Sequence, residues 1–360
     1  MMKSVFLPSY SIGDNIYSKI GEICKPYGEK VVIIGGKKAL EKAEGKIKEQ
    51  LKNSDLKVLE TLWYGGEASF ENVDKLENEI NVKKADMIFA IGGGKALDTC
   101  KLLSEKLNKP IFTFPTIAST CAAITTICVM YTQEGVFKKL CWRKRPAEHT
   151  FIDTKIISEA PIKYFWAGIG DTIAKGYEPE FSARGREVDY SNLVGLRLSG
   201  ICATSLIKVG EKALKDCENN VISPELEEGI LGIIINTGLV SNHLINDYNS
   251  CVAHAVCYGF SMIPEVEHSH LHGEIVSYGV LLELMLDKNL KEIEKLVSFY
   301  KKIKLPISYK DFGVTMKEME EIVLKRAIQV NDMKAVPYKI TLDILKEAVE
   351  DLEEYVNKIK

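Results

Sequence analysis

A chain of 360 residues, 46% hydrophobic and 27% charged, has room for two packed domains and the composition of a globular protein. Its net charge of −3 supplies no basic field to gather nucleic acid. Nine cysteines, odd in number and without a C-x-x-C pair, read as free thiols in a reducing compartment. The start, MMKSVFLPSYSIGDN, has no apolar stretch of signal length, and the longest apolar run, Ile230–Val240, is too short to cross a bilayer. The expectation is a cytoplasmic protein that acts on a small molecule, with neither nucleic acid nor membrane as partner.

The first half alternates short apolar runs with helical patterns. KVVIIGG (Lys30–Gly36) predicts a buried strand, and the segment after it sets Leu40, Ala43, Ile47 and Leu51 at helical spacing. LKVLETLWYG predicts a second strand, ADMIFAIGGGK a third and KPIFTFPT a fourth, with helices between them. Strands this uniformly apolar predict a parallel sheet covered on both faces. VMYTQEGVFKKL reads as a hairpin turning at Gln133-Glu134-Gly135. After about Pro161 only helical spacing recurs. The expected fold is therefore an α/β dinucleotide-binding domain over residues 1–159 followed by an all-α domain over 160–360. A ligand is expected in the cleft between them, outside the carboxyl ends of the strands.

Two stretches of the first half could cradle a nucleotide. AIGGGKALDTCK sets Gly92, Gly93 and Gly94 where a strand passes into a helix, so a phosphate could reach the backbone and the helix N-terminus. The pattern is neither a Rossmann fingerprint nor a Walker loop, and a tight turn without a ligand fits it equally well. The next strand opens into FPTIASTCAAITTICVMY, rich in hydroxyls, which could line a second wall or lie in solvent.

Four of the six histidines fall between Asn249 and Glu274. His254 lies in a predicted helix, His272 just before another, and Asp171 at the expected start of a third. One carboxylate and two imidazoles from three elements could make an open three-ligand zinc site, whose vacant position polarises a substrate oxygen. The same residue types also serve as helix caps and satisfied polar groups. His268 and His270 read as loop residues.

Taken together, GGGKALDTCK, FPTIASTCAAITTICVMYT, AGIGDTIAKGYE and HAVCYGFSMIPEVEHSHLHGEIVSYG resemble the iron-containing/glycerol-type alcohol dehydrogenase superfamily, in order and in spacing. The resemblance implies a dehydroquinate synthase-like/glycerol dehydrogenase-like architecture, a nicotinamide cofactor, one divalent metal and a homo-oligomer. It implies that Gly93, Gly94 and Lys95 bind the cofactor pyrophosphate, with Asp98 on the same loop and helix. Thr116, Ser119, Thr125, Ile127 and Tyr131 would line the nicotinamide and ribose. Asp171, His254 and His272 would be the metal ligands. The iron-dependent branch has a histidine ligand four residues after the aspartate; here Lys175 stands there, so zinc is favoured over iron.

Two departures bear on the substrate. Glycerol dehydrogenases carry an aspartate in S-T-D-A-P, where this chain reads STCAA with Cys121. Losing an anion at Cys121 and gaining the cation of Lys175 favours an anionic substrate. In this the chain is similar to the hydroxycarboxylate dehydrogenase A branch, which reduces 2-oxo acids. The alternatives are a glycerol (polyol) dehydrogenase producing dihydroxyacetone and, more distantly, a lyase of the dehydroquinate synthase type. At the end of the first strand Gly35-Gly36-Lys37-Lys38 lacks the acid that would bind a ribose 2′-hydroxyl. Lys37 is therefore expected to admit NADP(H) beside NAD(H).

Overall fold

A computed structural model describes residues 5–359. Their contacts form two compact units, Met1–Tyr164 with Asp216–Ile222, and Phe165–Lys215 with Ser223–Lys360. The short return segment is invisible to periodicity, because Asp216 to Glu218 continue the spacing of one long helix. Cys217 fastens it to the first unit, its Sγ lying 4.0 Å from the Ile157 carbonyl and 3.9 Å from that of Ser158.

The first unit contains β1 (Tyr10–Gly13), β2 (Lys30–Gly35), β3 (Lys57–Trp63), β4 (Met87–Gly92), β5 (Ile111–Pro115), β6 (Ile127–Tyr131), β7 (Phe137–Trp142) and β8 (His149–Asp153). Six of these make a parallel sheet in the order β1-β8-β5-β4-β2-β3, and β6 with β7 make an antiparallel hairpin. Every residue of β4, β5 and β8 is buried, as a sheet covered on both faces requires. Alternate residues of neighbouring strands put Val31, Ile33, Phe89, Phe112, Phe114 and Phe151 into one core. Phe114 and Phe151 stack at 5.0 Å between centroids with 13° between planes. Each such ring contributes roughly 2 kcal/mol through burial alone.

The hairpin is held by a buried charge. Lys101, on the helix Gly94–Leu107, is fully buried. Its ammonium donates to the Thr125 carbonyl at 3.1 Å, to Thr125 Oγ1 at 3.3 Å and to the Ile127 carbonyl, and pairs with Asp98 Oδ1 at 2.9 Å. Asp98 Oδ2 accepts the Val129 amide at 3.0 Å. A buried ion pair with all its partners is tolerated, whereas breaking it costs about 3–5 kcal/mol.

The second unit has no strand among its described residues. Its 29-residue helix Tyr190–Glu218 is long and apolar enough to cross a membrane by length and composition, with 39% of the relevant window buried. One face of it packs within the unit. A Cβ on Gly176 would meet Ala203, and one on Gly210 would meet Phe299.

Strands β1 and β8 escape the sequence pattern because their polar side chains find partners only across the sheet. His149 is 6% exposed and bonds Ser9 Oγ through Nδ1 at 2.7 Å and Ser11 Oγ through Nε2 at 2.9 Å. Thr150 Oγ1 bonds Thr113 Oγ1 at 2.8 Å. Burial pulls the His149 imidazole down to about 4. The unfolded chain therefore takes up this proton first, and its contribution is lost as pH falls from the unfolded value towards 4. Between pH 7 and pH 5 the parent should lose about 2 kcal/mol more stability than His149→Gln, measured as urea midpoints. Equal losses in both proteins would rule out His149 as the source.

Candidate functional site

In the second unit, glycines let three helices approach at backbone distance. A Cβ on Gly170, in Ile162–Ala174, would lie 2.2 Å from the Gly273 carbonyl oxygen. One on Gly273, in His272–Leu286, would lie 1.9 Å from the Ala167 carbonyl oxygen. One on Gly279 would lie 2.6 Å from the backbone of Ala253, in Val252–Phe260. These contacts bring Asp171, His254 and His272 together, their potential ligand atoms all within 4.8 Å of one another. Asp171 sits near the end of its helix, not at its start as the sequence suggests. His272 is the first residue of its own helix.

The distances fit a metal ion better than they fit hydrogen bonds. Asp171 Oδ1 lies 3.6 Å from His254 Nε2 and 3.7 Å from His272 Nε2. Both are too long for a good N–H···O bond. Ligands about 2.1 Å from a tetrahedral zinc stand roughly 3.4 Å apart, close to what is seen. The His272 side chain is 48% exposed while the other two are buried, so the constellation is open on one side.

Each imidazole is held from behind. His254 Nδ1 donates to Glu178 Oε2 at 2.5 Å, and His272 Nδ1 lies 3.4 Å from Cys257 Sγ. Burial lowers the His254 pKa, but Glu178 and then Asp171 outweigh it and push it up to about 10. Burial likewise opposes ionisation of Asp171, yet His254, His272 and Lys175 hold its carboxyl below the usual range. Without a metal, a proton on His254 is thus the counter-charge between two carboxylates. Burial raises the pKa of the Glu283 carboxyl well above the usual carboxylate range, and Glu178 reinforces this.

Lys175 follows its helix by one residue and is not an open cation. It is 8% exposed, and its ammonium donates to the Asn249 carbonyl and, at 3.2 Å, to Asn249 Oδ1. Held there, the Lys175 charge helps to keep the Asp171 carboxyl ionised. His268 Nδ1 lies 2.5 Å from the Pro264 carbonyl and His270 Nδ1 lies 2.8 Å from Glu274 Oε1, so neither joins the constellation.

In the first unit, Gly92 ends β4 with φ +149, and Gly93 caps the helix Gly94–Leu107 with no side-chain bond. The loop after β5 lies over this turn. The Thr116 amide donates to the Gly92 carbonyl at 3.2 Å, and a Cβ on Gly94 would stand 3.5 Å from Thr120 Oγ1. Lys95 pairs with Glu67 at 2.6 Å and lies 5.3 Å from the Tyr131 ring centroid. Gly93, Gly94, Lys95, Thr116 and Tyr131 therefore border one region, with Ser119 in the covering loop. Asp98 does not border it, since its carboxylate is buried against Lys101 and Val129. The Thr125 hydroxyl and the Ile127 carbonyl also turn to Lys101. Lys37 lies 4.5 Å over the exposed Trp63 ring. Cys121 is half-buried, and its carbonyl accepts the amides of Ile124 and Thr125.

Glu67, Lys101 and Glu178 are the site-supporting residues that sequence reasoning missed. Only Glu178 left a trace, as an acid two helical turns after Asp171.

A doubly covered parallel sheet ending in a glycine loop could hold a nucleotide, and the Asp-His-His cluster of the helical unit could hold a metal ion. The profile of the family described as iron-containing alcohol dehydrogenase matches residues 8–154. A glycerol dehydrogenase of Escherichia coli is 32% identical over 83% of this chain and 81% of its own length. Hydroxycarboxylate dehydrogenase A of Escherichia coli is 28% identical over 91% of this chain and 90% of its own. The crystal structure of a glycerol dehydrogenase from Schizosaccharomyces pombe superposes with a TM-score of 0.89 at 25% identity, covering 100% of this chain and 92% of that one. The chain belongs to the iron-containing alcohol dehydrogenase family. Within it, this is a glycerol dehydrogenase-like oxidoreductase acting on CH–OH groups.

The two glycines of the loop should separate binding from folding. Gly92→Ala combines an unfavourable φ with a contact of 2.9 Å to Ala96 Cβ, and should lower the melting temperature. Gly94→Ala meets only ordinary contacts, so it should melt like the parent yet bind NADH about tenfold more weakly by fluorescence titration. Unchanged NADH binding in Gly94→Ala would remove this loop from the cofactor site.

Proposed function

We propose that the protein interconverts a small 2-hydroxy acid and its 2-oxo acid with a nicotinamide cofactor, using one divalent metal, zinc in preference to iron. The cluster of Asp171, His254 and His272, with ligand atoms within 4.8 Å, carries the reading. These three residues would hold the cation, which supplies Lewis acidity toward a hydroxyl or carbonyl oxygen. Asp171 contributes the one negative charge of the set, and His272 leaves its exposed side for the substrate.

Cys121 supports an anionic substrate, because a thiol stands where glycerol dehydrogenases carry a carboxylate. A carboxylate restored there would repel an anion by about 1–3 kcal/mol at an effective dielectric near 20. Lys175 supports it through charge alone. The competing glycerol reading rests on the 32% identity and the TM-score of 0.89 to glycerol dehydrogenases. On the cofactor side, Lys37 and Lys38 are exposed at the end of β2, which favours acceptance of NADP(H) as well as NAD(H).

Steady-state rates with 2-oxobutanoate, dihydroxyacetone, glycerol and diols, each with NAD(H) and NADP(H), test this. The 2-oxo acid should be the better substrate. Activity should vanish on chelation and return with zinc. Cys121→Asp should shift the preference toward glycerol by at least about tenfold. Glycerol turnover without 2-oxo acid turnover would decide for the glycerol reading, and full activity in demonstrably metal-free protein would sink the metal role.

A further inference from the structure

Glu178 is the most completely enclosed charge of the second unit. It opens the helix Glu178–Ala183 and is 0% exposed. All three of its contacts go to the segment that carries His254. Oε1 accepts the amides of Cys251 at 2.7 Å and His254 at 2.9 Å, and Oε2 accepts His254 Nδ1–H at 2.5 Å. The two amides belong to the start of the helix Val252–Phe260, where the backbone dipole also favours an anion. No side chain caps that helix from within: Cys251 occupies the cap position without a capping bond.

We propose that Glu178 is a positioning residue that sets both the tautomer and the aim of His254, so that Nε2 is delivered unprotonated to the metal position beside Asp171. The inference rests on the metal reading above and deepens it. One carboxylate fixes the backbone of His254 through one oxygen and its ring through the other, so the imidazole cannot rotate without releasing a buried anion. Once a metal ion displaces the second ring proton, the one kept on Nδ1 leaves the Nε2 lone pair on the side of Asp171 Oδ1, 3.6 Å away. The other imidazole has a softer support: His272 Nδ1 faces only the Cys257 thiol, a weak hydrogen-bonding partner. His254 is therefore the fixed ligand of the pair.

Glu178→Gln discriminates this role from simple capping. A glutamine can keep its oxygen on the two amides, but its NH₂ then faces Nδ1 and drives the ring proton to Nε2, against the metal. Zinc affinity, read by competition with a chromophoric chelator, should fall 10–100-fold. NADH affinity in the same protein should stay at the parent value, because the cofactor loop belongs to the other unit. Glu178→Asp, one methylene shorter, should fall in between. Proton–nitrogen correlation NMR of the zinc-loaded parent should show the His254 proton on Nδ1, a readout that survives if the variants do not fold. Parent zinc affinity in Glu178→Gln, or the opposite tautomer in the loaded parent, would overturn the positioning role alone. Failure of the parent to bind zinc at all would overturn the metal reading and this inference with it.

Discussion

The candidate metal centre depends on the near-contact of two backbones. Gly170 and Gly273 meet so closely that any side chain at either position would enter a carbonyl oxygen of the facing helix. That contact sets the offset between Ile162–Ala174 and His272–Leu286, and so the distance from Asp171 to His272. The Gly279–Ala253 contact does the same for the helix of His254. Packed helices do not deform continuously, so separations near 3.6 Å follow from which residues are small enough to touch.

Charge is arranged around that geometry in layers. The carboxyls of Asp171 and Glu178 are held below the usual pKa range, that of Glu283 is raised by burial, and Lys175 is held by Asn249. The two carboxylates are thus balanced by the Lys175 ammonium and by one protonated imidazole. A divalent cation would take over that imidazole's charge. At the glycine loop of the first unit, Lys95 is likewise held by an opposite charge, that of Glu67.

Much of this was legible in the sequence, for identifiable reasons. The strands β2, β4 and β5 read clearly because parallel strands buried on both faces leave uninterrupted apolar runs. The hairpin read clearly because its turn residues are local. Strands β1 and β8 did not, since His149 and Thr150 look like loop residues until Ser9, Ser11 and Thr113 are placed beside them. The metal candidates were named by residue type and family pattern, but their roles were incomplete. Lys175 reads from the sequence only as a cation near Asp171, because nothing in the chain foretells that Asn249, 74 residues later, accepts its ammonium hydrogens. Asp98 looked like a cofactor ligand because its partnership with Lys101 belongs to the interior of the domain. Glu178 was missed because its three partners all lie more than 70 residues downstream.

The position of β1 at the edge of the sheet has a consequence for how the chain assembles. Tyr10–Gly13 pairs only with β8, from Tyr10 against Thr150 to Gly13 against Asp153. During synthesis the first strand must therefore wait for its neighbour until nearly half the chain has emerged. The strands between them can pair earlier, with β2 against β4 and β4 against β5 forming over much shorter loops. Long-range parallel pairing of this kind is slow. The sheet should thus close from its middle outward, with the N-terminal strand locking last, and the serines that receive His149 arrive only with that final step.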